Sequence, residues 1–307
     1  LLGEDGFLAC EINADCPGGH NEALGLPALA QAAGFYGGLD PTTVVPRLCD
    51  ALIRLRRGEG AVALVFATAY AEDLQVCALL QRELSRRGVP ALLTPPTALT
   101  RRHGKLTHRG QRVSVLYRYF PTEYMEGQRN LGAIESAVAD GAVRTLANFG
   151  ELFAQSKLAF ARAHALADTL PDDVRAELAV LPTTVAIDEV SEDDLRRDRA
   201  RLVVKRALGR VGEEVFVGAL GTDEEWDRVV RAARAEHLDG QEVWIVQDFV
   251  RQRPVPTPYG PRLLTLGVYL LQGRFAGYFA RLTPQSHASH DALCLPVFVA
   301  PTAEASA

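Results

Sequence analysis

The sequence lacks the features that mark several classes of protein. Its five cysteines are spread over 307 residues without a CxxC pair, which argues against a disulfide scaffold or a zinc site and favours a reduced, cytoplasmic protein. Acidic residues outnumber basic ones by 38 to 33, for a net charge of −5, so the chain has no basic excess for nucleic acid. No apolar run is long enough to cross a bilayer, and we expect no membrane partner.

What is present describes an ordinary globular chain. Hydrophobic residues make up 48% of the sequence and charged residues 23%, which is typical of a protein with a packed core and not of a disordered one. A length of 307 residues is near the size at which a single core stops growing, so we expect the chain to form lobes.

The central feature of the sequence is the stretch Arg201–Gly218, RLVVKRALGRVGEEVFVG. An apolar run that ends at Lys205, a turn with Gly209, Arg210 and Gly212, and a second apolar run predict two strands joined by a glycine-containing loop. Such a loop lets backbone N–H groups approach phosphate oxygens, while a lysine and an arginine supply charge. The alternative is a plain β-hairpin whose lysine points into water.

Two oxygen-bearing side chains stand near the start of the chain. The pattern of Gly6–Asp15 predicts a strand, in which Glu11 and Asn13 project from the same face because they are two residues apart. A carboxylate and an amide oxygen on one face form a plausible hard-cation site, because Mg²⁺ prefers oxygen ligands. The alternative is a strand with two polar residues that face solvent.

Helices and strands alternate between residues 46 and 149. The continuous apolar run Ala61–Thr68 is typical of a buried parallel strand, and Glu72–Gly88 has the apolar stripe of a helix. We therefore expect a small α/β layer domain, whose ligands would gather beyond the carboxyl ends of the strands. Four charged residues and a tyrosine fall near that edge: Glu72, Asp73, Arg118, Glu123 and Tyr70. The first two also suit the acidic first turn of a helix, which the helix dipole favours.

The second half of the chain supplies further charged candidates. We expect Glu151–Ala167 to be a helix that bears Lys157, and Glu242–Val250 to be a half-buried strand. Two strands joined at Gln272-Gly273 follow, and the second of them ends on Arg281.

Taken in order, these pieces resemble the circularly permuted ATP-grasp ligases, and within them the synthetase domain of glutathionylspermidine synthase. The family's E-x-N metal motif with its proline turn stands here as residues 11–17, EINADCP, and its aromatic strand motif as residues 117–123, YRYFPTE. Four more matches follow in the chain: the helix lysine Ser156-Lys157, the strand lysine with its G-R-x-G loop at 205–212, the hinge strand at 245–250 and the G-x-x-x-R strand at 277–281. The resemblance spans nearly the whole chain.

The resemblance implies a fold and a division into domains. The fold would be α/β with α+β lobes, namely a circularly permuted ATP-grasp fold with a Rossmann-like pre-ATP-grasp domain. Residues 1–45 would be the permuted C-terminal part of the ATP-grasp lobe, 46–149 the substrate-binding α/β domain, and 150–307 the nucleotide-binding lobes.

The resemblance also implies an activity. The protein would be an ATP-dependent carboxylate–amine ligase that forms an amide or peptide-like bond through an acyl phosphate. Its cofactors would be ATP and Mg²⁺, and its partners small-molecule or peptide acids and amines. Residues that match the family's motifs take its roles here. Arg281 would be catalytic, and Glu11 and Asn13 would hold the metal. The nucleotide would contact Lys157, Lys205, Gly209, Arg210, Gly212, Gln247, Asp248, Phe249 and Val250. The substrates would contact Asp15, Cys16, Gly18, Glu72, Asp73 and Arg118.

Two departures limit what the resemblance implies. The family's arginine and its third metal ligand, an aspartate, lie on a strand before the E-x-N motif. Here that strand would precede Leu1, so we expect the chain to be incomplete at this end. The small hydroxyl residues of the family's substrate cleft are replaced by Cys16 and Gly18, so glutathione and spermidine are not carried over as substrates.

Three other functions stay open on the sequence. A nucleotide-binding or partner protein would keep the ligase fold without its chemistry, and an ATP-dependent phosphotransferase would yield a phosphorylated product instead of an amide. A dinucleotide-binding oxidoreductase would fit the α/β unit, but the first strand is not followed by a GxGxxG turn.

Overall fold

A computed structural model of the chain describes residues 1–209, 214–284 and 292–300. The chain divides into two compact units, each assembled from separate segments. The lysine unit comprises Leu1–Ile12, Phe153–Leu266 and Arg281–Leu293, and the parallel-sheet unit comprises Asn13–Leu152, Gly267–Ala280 and Cys294–Ala307. The division into 1–45, 46–149 and 150–307 stays a prediction.

The parallel-sheet unit is built on a six-stranded sheet. Its strands are β1 (Ala61–Phe66), β2 (Ala91–Thr94), β3 (Leu99–Arg102), β4 (Lys105–His108), β5 (Gln111–Tyr119) and β6 (Arg144–Thr145). The order is β2-β1-β5-β4-β3, with β6 paired to β5. Strand β1 is parallel to both of its neighbours and buried along its whole length. The α/β layer predicted from the alternating pattern is therefore confirmed.

Helices cover both faces of this sheet. They are α1 (His20–Ala32), α2 (Val44–Leu55), α3 (Ala71–Arg86) and α4 (Leu131–Ala139). Val62 and Leu64 of β1 belong to the cluster that includes residues of α1, α2 and α3, whereas Ala63 and Val65 belong to the cluster that includes residues of α4. Because each face needs its own apolar side chains, the strand is apolar at every position.

The lysine unit contains a smaller antiparallel sheet. Its strands are β7 (Thr184–Ala186), β8 (Leu202–Arg206), β9 (Val215–Val217) and β10 (Trp244–Asp248), in the order β7-β10-β8-β9. The second half of the chain also forms α5 (Glu151–Gln155), α6 (Leu158–Ala165), α7 (Asp172–Glu177), α8 (Glu192–Arg197) and α9 (Asp223–Leu238). The predicted pair of strands within Arg201–Gly218 is confirmed as β8 and β9, which pair antiparallel.

The two faces of this smaller sheet differ in character. Val204 and Val246 lie in an apolar cluster with Trp226 and Val230 of α9. Side chains alternate along a strand, so Lys205 on β8 and Gln247 on β10 project from the opposite face. The helix-covered face stabilises the sheet, and the other face carries polar groups.

The last strands form a three-stranded sheet. They are β11 (Leu263–Leu271), β12 (Arg274–Thr283) and β13 (Leu293–Leu295). Gln272 and Gly273, between β11 and β12, both have positive φ, at 53° and 72°, which is the backbone of a two-residue hairpin turn. The hairpin predicted at this dipeptide is confirmed. No helix among the described residues has both the length and the apolar character to cross a membrane.

Two predictions of secondary structure are wrong. Residues 8–14 have no regular structure instead of a strand, because the segment does not pair with one neighbouring strand: Ala9 N donates to Val180 O, while the Cys10 carbonyl accepts from the Lys205 side chain. The predicted helix Glu151–Ala167 is broken into α5 and α6. At the break, Leu158 N donates to the Ser156 hydroxyl, a local bond of the kind that competes with a helix.

Candidate functional site

Lys205 is the central group of the candidate site. It lies on β8 opposite Ile245 of β10, so Gln247 is its diagonal neighbour on the same face. Lys205 is 7% exposed, and its Nζ donates to Gln247 Oε1 at 2.7 Å and to the Cys10 carbonyl at 3.2 Å. An ammonium has three N–H donors, so these two contacts leave one donor that no described residue accepts.

A chain of buried hydrogen bonds fixes Gln247. Its Nε2 donates to Thr184 Oγ1 at 2.9 Å, and Thr184 Oγ1 donates to the Pro182 carbonyl at 2.8 Å. Because the amide nitrogen is used in this way, the amide oxygen faces Lys205. Thr184 was not predicted from the sequence, since a threonine in a short strand carries no motif.

The surroundings of Lys205 change its titration. The pKa of Lys205 is lowered to about 8, chiefly by burial; the nearby Lys157 also acts to lower it, while Cys10 and Glu11 act in the opposite direction. A buried ammonium held in this way is poised to be stabilised by an incoming anion, because a negative charge would offset the cost of its desolvation.

Lys157 brings a second cation to the same region. It stands at the break between α5 and α6, where its backbone N–H donates to the Ala207 carbonyl at 2.9 Å, close to the end of β8. Its Nζ donates to the Gly209 carbonyl at 3.0 Å and lies 3.6 Å from Glu11 Oε2. The side chain of Lys157 is 6% exposed, whereas that of Glu11 is 47% exposed.

The lysine unit therefore holds two buried lysines next to one accessible carboxylate. The whole chain contains three lysines, Lys105, Lys157 and Lys205, and Lys105 is exposed on β4 of the parallel-sheet unit. Arginine fills most other cationic positions, so the scarcity of lysine is a signal in the sequence that the pattern-based prediction did not use. A pair of compact ammonium groups suits the oxygens of an anion such as phosphate.

The glycine-containing turn is described only at its start. Gly209 follows β8, and its carbonyl binds Lys157. Arg210 and Gly212 lie outside the described residues, so their predicted contacts with nucleotide stay predictions.

The hinge strand has fewer available donors than the sequence predicts. The N–H groups of Asp248 and Phe249 already donate to the carbonyls of Thr183 and Arg201, at 2.9 and 2.7 Å. These two N–H groups cannot also bind an adenine base without breaking these bonds, which leaves backbone carbonyls for that role. The side chain of Gln247 binds Lys205, and the predicted nucleotide contacts of Gln247, Asp248 and Phe249 stay predictions. Val250 is buried, and its contact with the nucleotide stays a prediction.

Asp15 and Arg118 bind each other within the parallel-sheet unit. They form an ion pair whose side chains are 0% and 1% exposed. Asp15 also accepts from the backbone and hydroxyl of Thr122, at 2.7 and 2.9 Å, and the Arg118 guanidinium lies over the Phe149 ring. Burial raises the pKa of Asp15, but hydrogen bonds from Arg118 and Thr122 outweigh that effect and hold the pKa below its ordinary value. Both side chains are buried and bind each other, while Arg118 Nε has no hydrogen-bond partner among the described residues. The predicted substrate contacts of Asp15 and Arg118 stay predictions.

Two tyrosines hold the turn that follows Asp15. The hydroxyl of Tyr119 donates to the Pro17 carbonyl at 3.1 Å, and that of Tyr269 donates to the Gly18 carbonyl at 2.6 Å. Gly19 has φ of 78°, and a Cβ there would lie 2.8 Å from the Tyr269 hydroxyl, so only glycine fits. Gly18 is thus a member of a rigid turn. Cys16 packs against the apolar core of this unit, and substrate contact by either residue stays a prediction.

The remaining predicted site residues occupy different elements. Glu72 is exposed and Asp73 is half-buried in the first turn of α3. After burial, the negative charge of Asp73 contributes to raising the pKa of Tyr119, at the carboxyl end of β5. Asp73 therefore lies near the carboxyl edge of the sheet, as expected, and in the first turn of a helix, where the helix dipole stabilises a negative charge. Arg281 is half-buried near the end of β12. The functional roles of all three stay predictions.

The donors around Glu11 and Asn13 determine which kind of metal site is possible. Glu11 belongs to the lysine unit and Asn13 to the parallel-sheet unit, and the strand that would align them does not form. The described residues contain no group of three or more His, Cys, Asp or Glu side chains able to hold a metal ion. Mg²⁺ often keeps its waters and binds through one or two carboxylates and the phosphates of a substrate. The accessible Glu11 fits that kind of site and not one formed by protein ligands alone.

A cavity elsewhere in the lysine unit does not involve these groups. It has a volume of about 300 Å³ and lies between β9 and α9, with Phe216, Leu220, Trp226 and Val229 among its lining residues. Neither Lys157 nor Lys205 lines this cavity, so its size does not make it the candidate site.

Comparison with solved structures identifies proteins of similar fold. A glutathione synthetase-like effector from Globodera pallida, in its apo form, superposes with a TM-score of 0.61 at 12% identity, covering 95% of this chain and 71% of that one. D-alanyl-alanine synthetase A from Vibrio cholerae has a TM-score of 0.47 at 11% identity and covers 81% of this chain and 77% of its own. The D-cycloserine synthetase DcsG also scores 0.47, at 19% identity, with 78% and 75% covered. The two TM-scores of 0.47 are too low for these two structures to contribute to the assignment of the fold.

No protein-family model matches the chain, and no curated protein sequence matches it significantly. At 12% identity, the likeness to the effector establishes the fold and not the activity. The chain thus has the predicted α/β fold of the ATP-grasp type.

Proposed function

We propose that this protein binds ATP and acts as an ATP-dependent carboxylate–amine ligase. The observation that carries the proposal is the meeting of Lys157, Lys205 and Glu11 in the lysine unit. Lys157 lies 3.6 Å from Glu11, and Lys205 keeps one ammonium donor beyond its two acceptors in the described part of the chain. Two fixed cations beside an accessible carboxylate suit the phosphates of a nucleotide that carries a divalent cation.

The lysines would bind and orient the phosphates. Each charge-assisted contact contributes about 1.5–3 kcal/mol, and hydrogen bonds to the protein already position both ammonium groups. Phosphoryl transfer asks the protein mainly for such positioning and neutralisation of charge. The buried Thr184–Gln247–Lys205 chain supplies the rigidity that this requires.

Magnesium would be held by Glu11 together with the nucleotide, and the metal role of Asn13 stays a separate prediction from the family's motif. The ion would neutralise charge on the transferring phosphoryl group. We further propose that the ATP-grasp fold is circularly permuted and similar to the synthetase domain of glutathionylspermidine synthase. The proposed location is the reduced environment of the cytoplasm.

The reaction proposed is the one that ATP-grasp ligases share. A substrate carboxylate would take the γ-phosphoryl group of ATP, which gives an acyl phosphate and ADP. An amine would then attack the acyl carbon, and phosphate would leave as the amide forms. Arg281 is the proposed residue for the developing negative charge. The acid and the amine are small molecules or peptides of unassigned identity.

The test is ADP release with product analysis. The protein is incubated with MgATP and pools of amino acids, short peptides and polyamines, with hydroxylamine added in parallel to trap an acyl phosphate as a hydroxamate. Substrate-dependent ADP release together with an amide or hydroxamate is the expected result. A phosphorylated product that hydroxylamine does not convert would instead indicate a phosphotransferase.

A second candidate is a nucleotide-binding protein that has kept the fold without ligase chemistry. It is favoured by the absence, among the described residues, of a metal site with three acidic or imidazole ligands. Binding of MgATP without ADP release in any substrate pool would support this candidate over the ligase.

A further inference from the structure

We infer that Glu11 makes the site selective for a nucleotide that carries a divalent cation, by occupying Lys157 and repelling phosphates that arrive without one. The inference rests on the proposed function, since it concerns the same phosphate site. It assigns to Glu11 a task before any reaction, namely discrimination between the metal-bound and metal-free forms of one nucleotide.

The geometry of the ion pair supports the first part of this inference. Glu11 Oε2 lies 3.6 Å from Lys157 Nζ, and the carboxylate is the accessible member of the pair, with 47% of its side chain exposed against 6% for the lysine. An incoming phosphate therefore reaches Lys157 at a position where a carboxylate already neutralises the ammonium. Both anions need the same cation, so they compete.

The second part follows from the charges around the phosphate. The carboxylate of Glu11 and a metal-free triphosphate are both anions, and like charges a few ångströms apart repel each other. A divalent cation reverses the sign of that interaction, because the carboxylate oxygens become its ligands. The same side chain thus opposes one form of the nucleotide and favours the other.

Lys157 also connects this exchange to the glycine-containing turn. Its Nζ donates to the Gly209 carbonyl at 3.0 Å, and its backbone N–H is held by Ala207. The backbone of Lys157 is therefore held while its ammonium contacts two acceptors, Gly209 and Glu11, and the exchange of Glu11 for phosphate needs no movement of the backbone between α5 and α6.

The test compares Glu11→Gln with the parent protein in two titrations by isothermal calorimetry. One uses ATP in excess EDTA, and the other uses ATP with excess Mg²⁺. For a partly exposed charge we expect the variant to bind metal-free ATP about threefold to fivefold more tightly. We expect the same variant to bind MgATP more weakly than the parent does. Opposite signs in the two titrations are the expected result.

Two controls separate this role from a general effect of charge. Glu4→Gln removes an exposed carboxylate from the same N-terminal segment, and it should change neither titration. In a Lys157→Met background, Glu11→Gln should improve binding of metal-free ATP less than in the parent, because the competition for the ammonium is gone.

The outcomes distinguish this inference from the proposed function. If the parent protein binds MgATP and Glu11→Gln leaves binding of metal-free ATP unchanged or weaker, the selectivity role is wrong and the nucleotide site stands. If the parent protein binds neither form of ATP, the proposed function and this inference are both wrong.

Discussion

Lys205 combines burial with a positive charge, and this combination has a cost that depends on pH. Burial lowers its pKa from 10.5 to about 8. The folded protein therefore disfavours the charged form, and the penalty is fully present below pH 8. Between pH 8 and 10.5 the unfolded chain binds more protons at this site than the folded chain does, so the contribution of Lys205 to stability rises with pH.

This linkage gives a prediction for Lys205→Met. From pH 7.5 to 10.5 the unfolding free energy of the parent should rise relative to that of the variant, by up to about 3 kcal/mol at 1.36 kcal/mol per pKa unit. Urea unfolding at a series of pH values measures the difference. Lys105→Met, at an exposed lysine, should track the parent. If the unfolding free energies of the parent and Lys205→Met change equally with pH, the pKa of Lys205 is not lowered by burial.

His20 predicts a second dependence on pH, in the acid range. It is 1% exposed and packs against the rings of Tyr119 and Tyr269, and its buried Nδ1 has no hydrogen-bond partner among residues 1–209, 214–284 and 292–300. Burial lowers its pKa from 6.5 to about 4. The unfolded chain binds more protons between pH 4 and 6.5, so stability should fall as pH falls through this range.

The corresponding variant is His20→Phe, which keeps an aromatic ring without a titratable nitrogen. Relative to the variant, the parent should lose up to about 3 kcal/mol of unfolding free energy from pH 6.5 to 4. Chemical unfolding across that range measures the loss, and His103→Asn at an exposed turn serves as the control. A parent curve that does not steepen relative to His20→Phe would contradict the buried, neutral state of His20.

At the scale of elements, strands β7, β10 and β8 align three polar side chains. Thr184, Gln247 and Lys205 follow one another across the sheet because adjacent strands place paired and diagonal residues on the same face. The order of the strands, β7-β10-β8, therefore creates the hydrogen-bond chain. Residues separated by 42 and 63 positions in the sequence become neighbours only through this order.

We expect Gln247→Leu to weaken binding of MgATP about tenfold while the protein stays folded, because Lys205 loses an acceptor worth about 1.5–3 kcal/mol and with it a fixed orientation. Thr184→Val should show a smaller loss, and Thr184→Ser should bind as the parent does, since it keeps the hydroxyl. Calorimetric titration with MgATP ranks the three variants. Equal affinity in Gln247→Leu and the parent would remove Gln247 from a positioning role.

The turn between Asn13 and α1 is held by a second arrangement, in the parallel-sheet unit. Asp15 binds Arg118 and Thr122, and two tyrosines bind the carbonyls of Pro17 and Gly18. These contacts join the start of the unit to the carboxyl end of β5. Their role is to fix the chain after Asn13.

Breaking this arrangement should be costly. Asp15→Asn leaves Arg118 as a buried cation with a weaker partner, so we expect a loss of about 3–5 kcal/mol of unfolding free energy, the usual effect of breaking a buried ion pair. The control is Asp140→Asn, which breaks the exposed pair with Arg101 and should cost less than about 1 kcal/mol. Thermal and urea unfolding compare the two. Similar small losses would mean that Asp15 is solvated and available for substrate.

At the scale of the whole molecule, the sequence predicts what depends on local patterns. The apolar run of β1, the hairpin at Gln272-Gly273 and the strands around Lys205 follow from periodicity and turn chemistry, and the structure has them. Lys157 and Lys205 were predicted as nucleotide ligands from the family's motifs. The structure adds that they meet beside Glu11.

What the sequence does not predict depends on contacts between distant residues. Asp15 and Arg118 are charged residues near expected clefts, and only the fold shows that they pair with each other in the core. The segment at 8–14 has the composition of a strand but bonds to two separate segments instead of one. At the break in the helix predicted around Lys157, the Ala207 carbonyl accepts from Lys157 N and the Ser156 hydroxyl accepts from Leu158 N. None of the distant partners is visible in a local pattern.

The scarcity of lysine in the whole chain makes the central claim directly measurable. An ATP derivative with an acyl group on its terminal phosphate transfers that group to a lysine amine next to the phosphate, and peptide mass spectrometry can read all three lysines of this chain in one digest. We predict acylation at Lys157 or Lys205, suppressed by excess MgATP, with Lys105 unlabelled. Labelling confined to Lys105, or labelling of Lys157 and Lys205 that excess MgATP does not suppress, would contradict a nucleotide phosphate site at these residues.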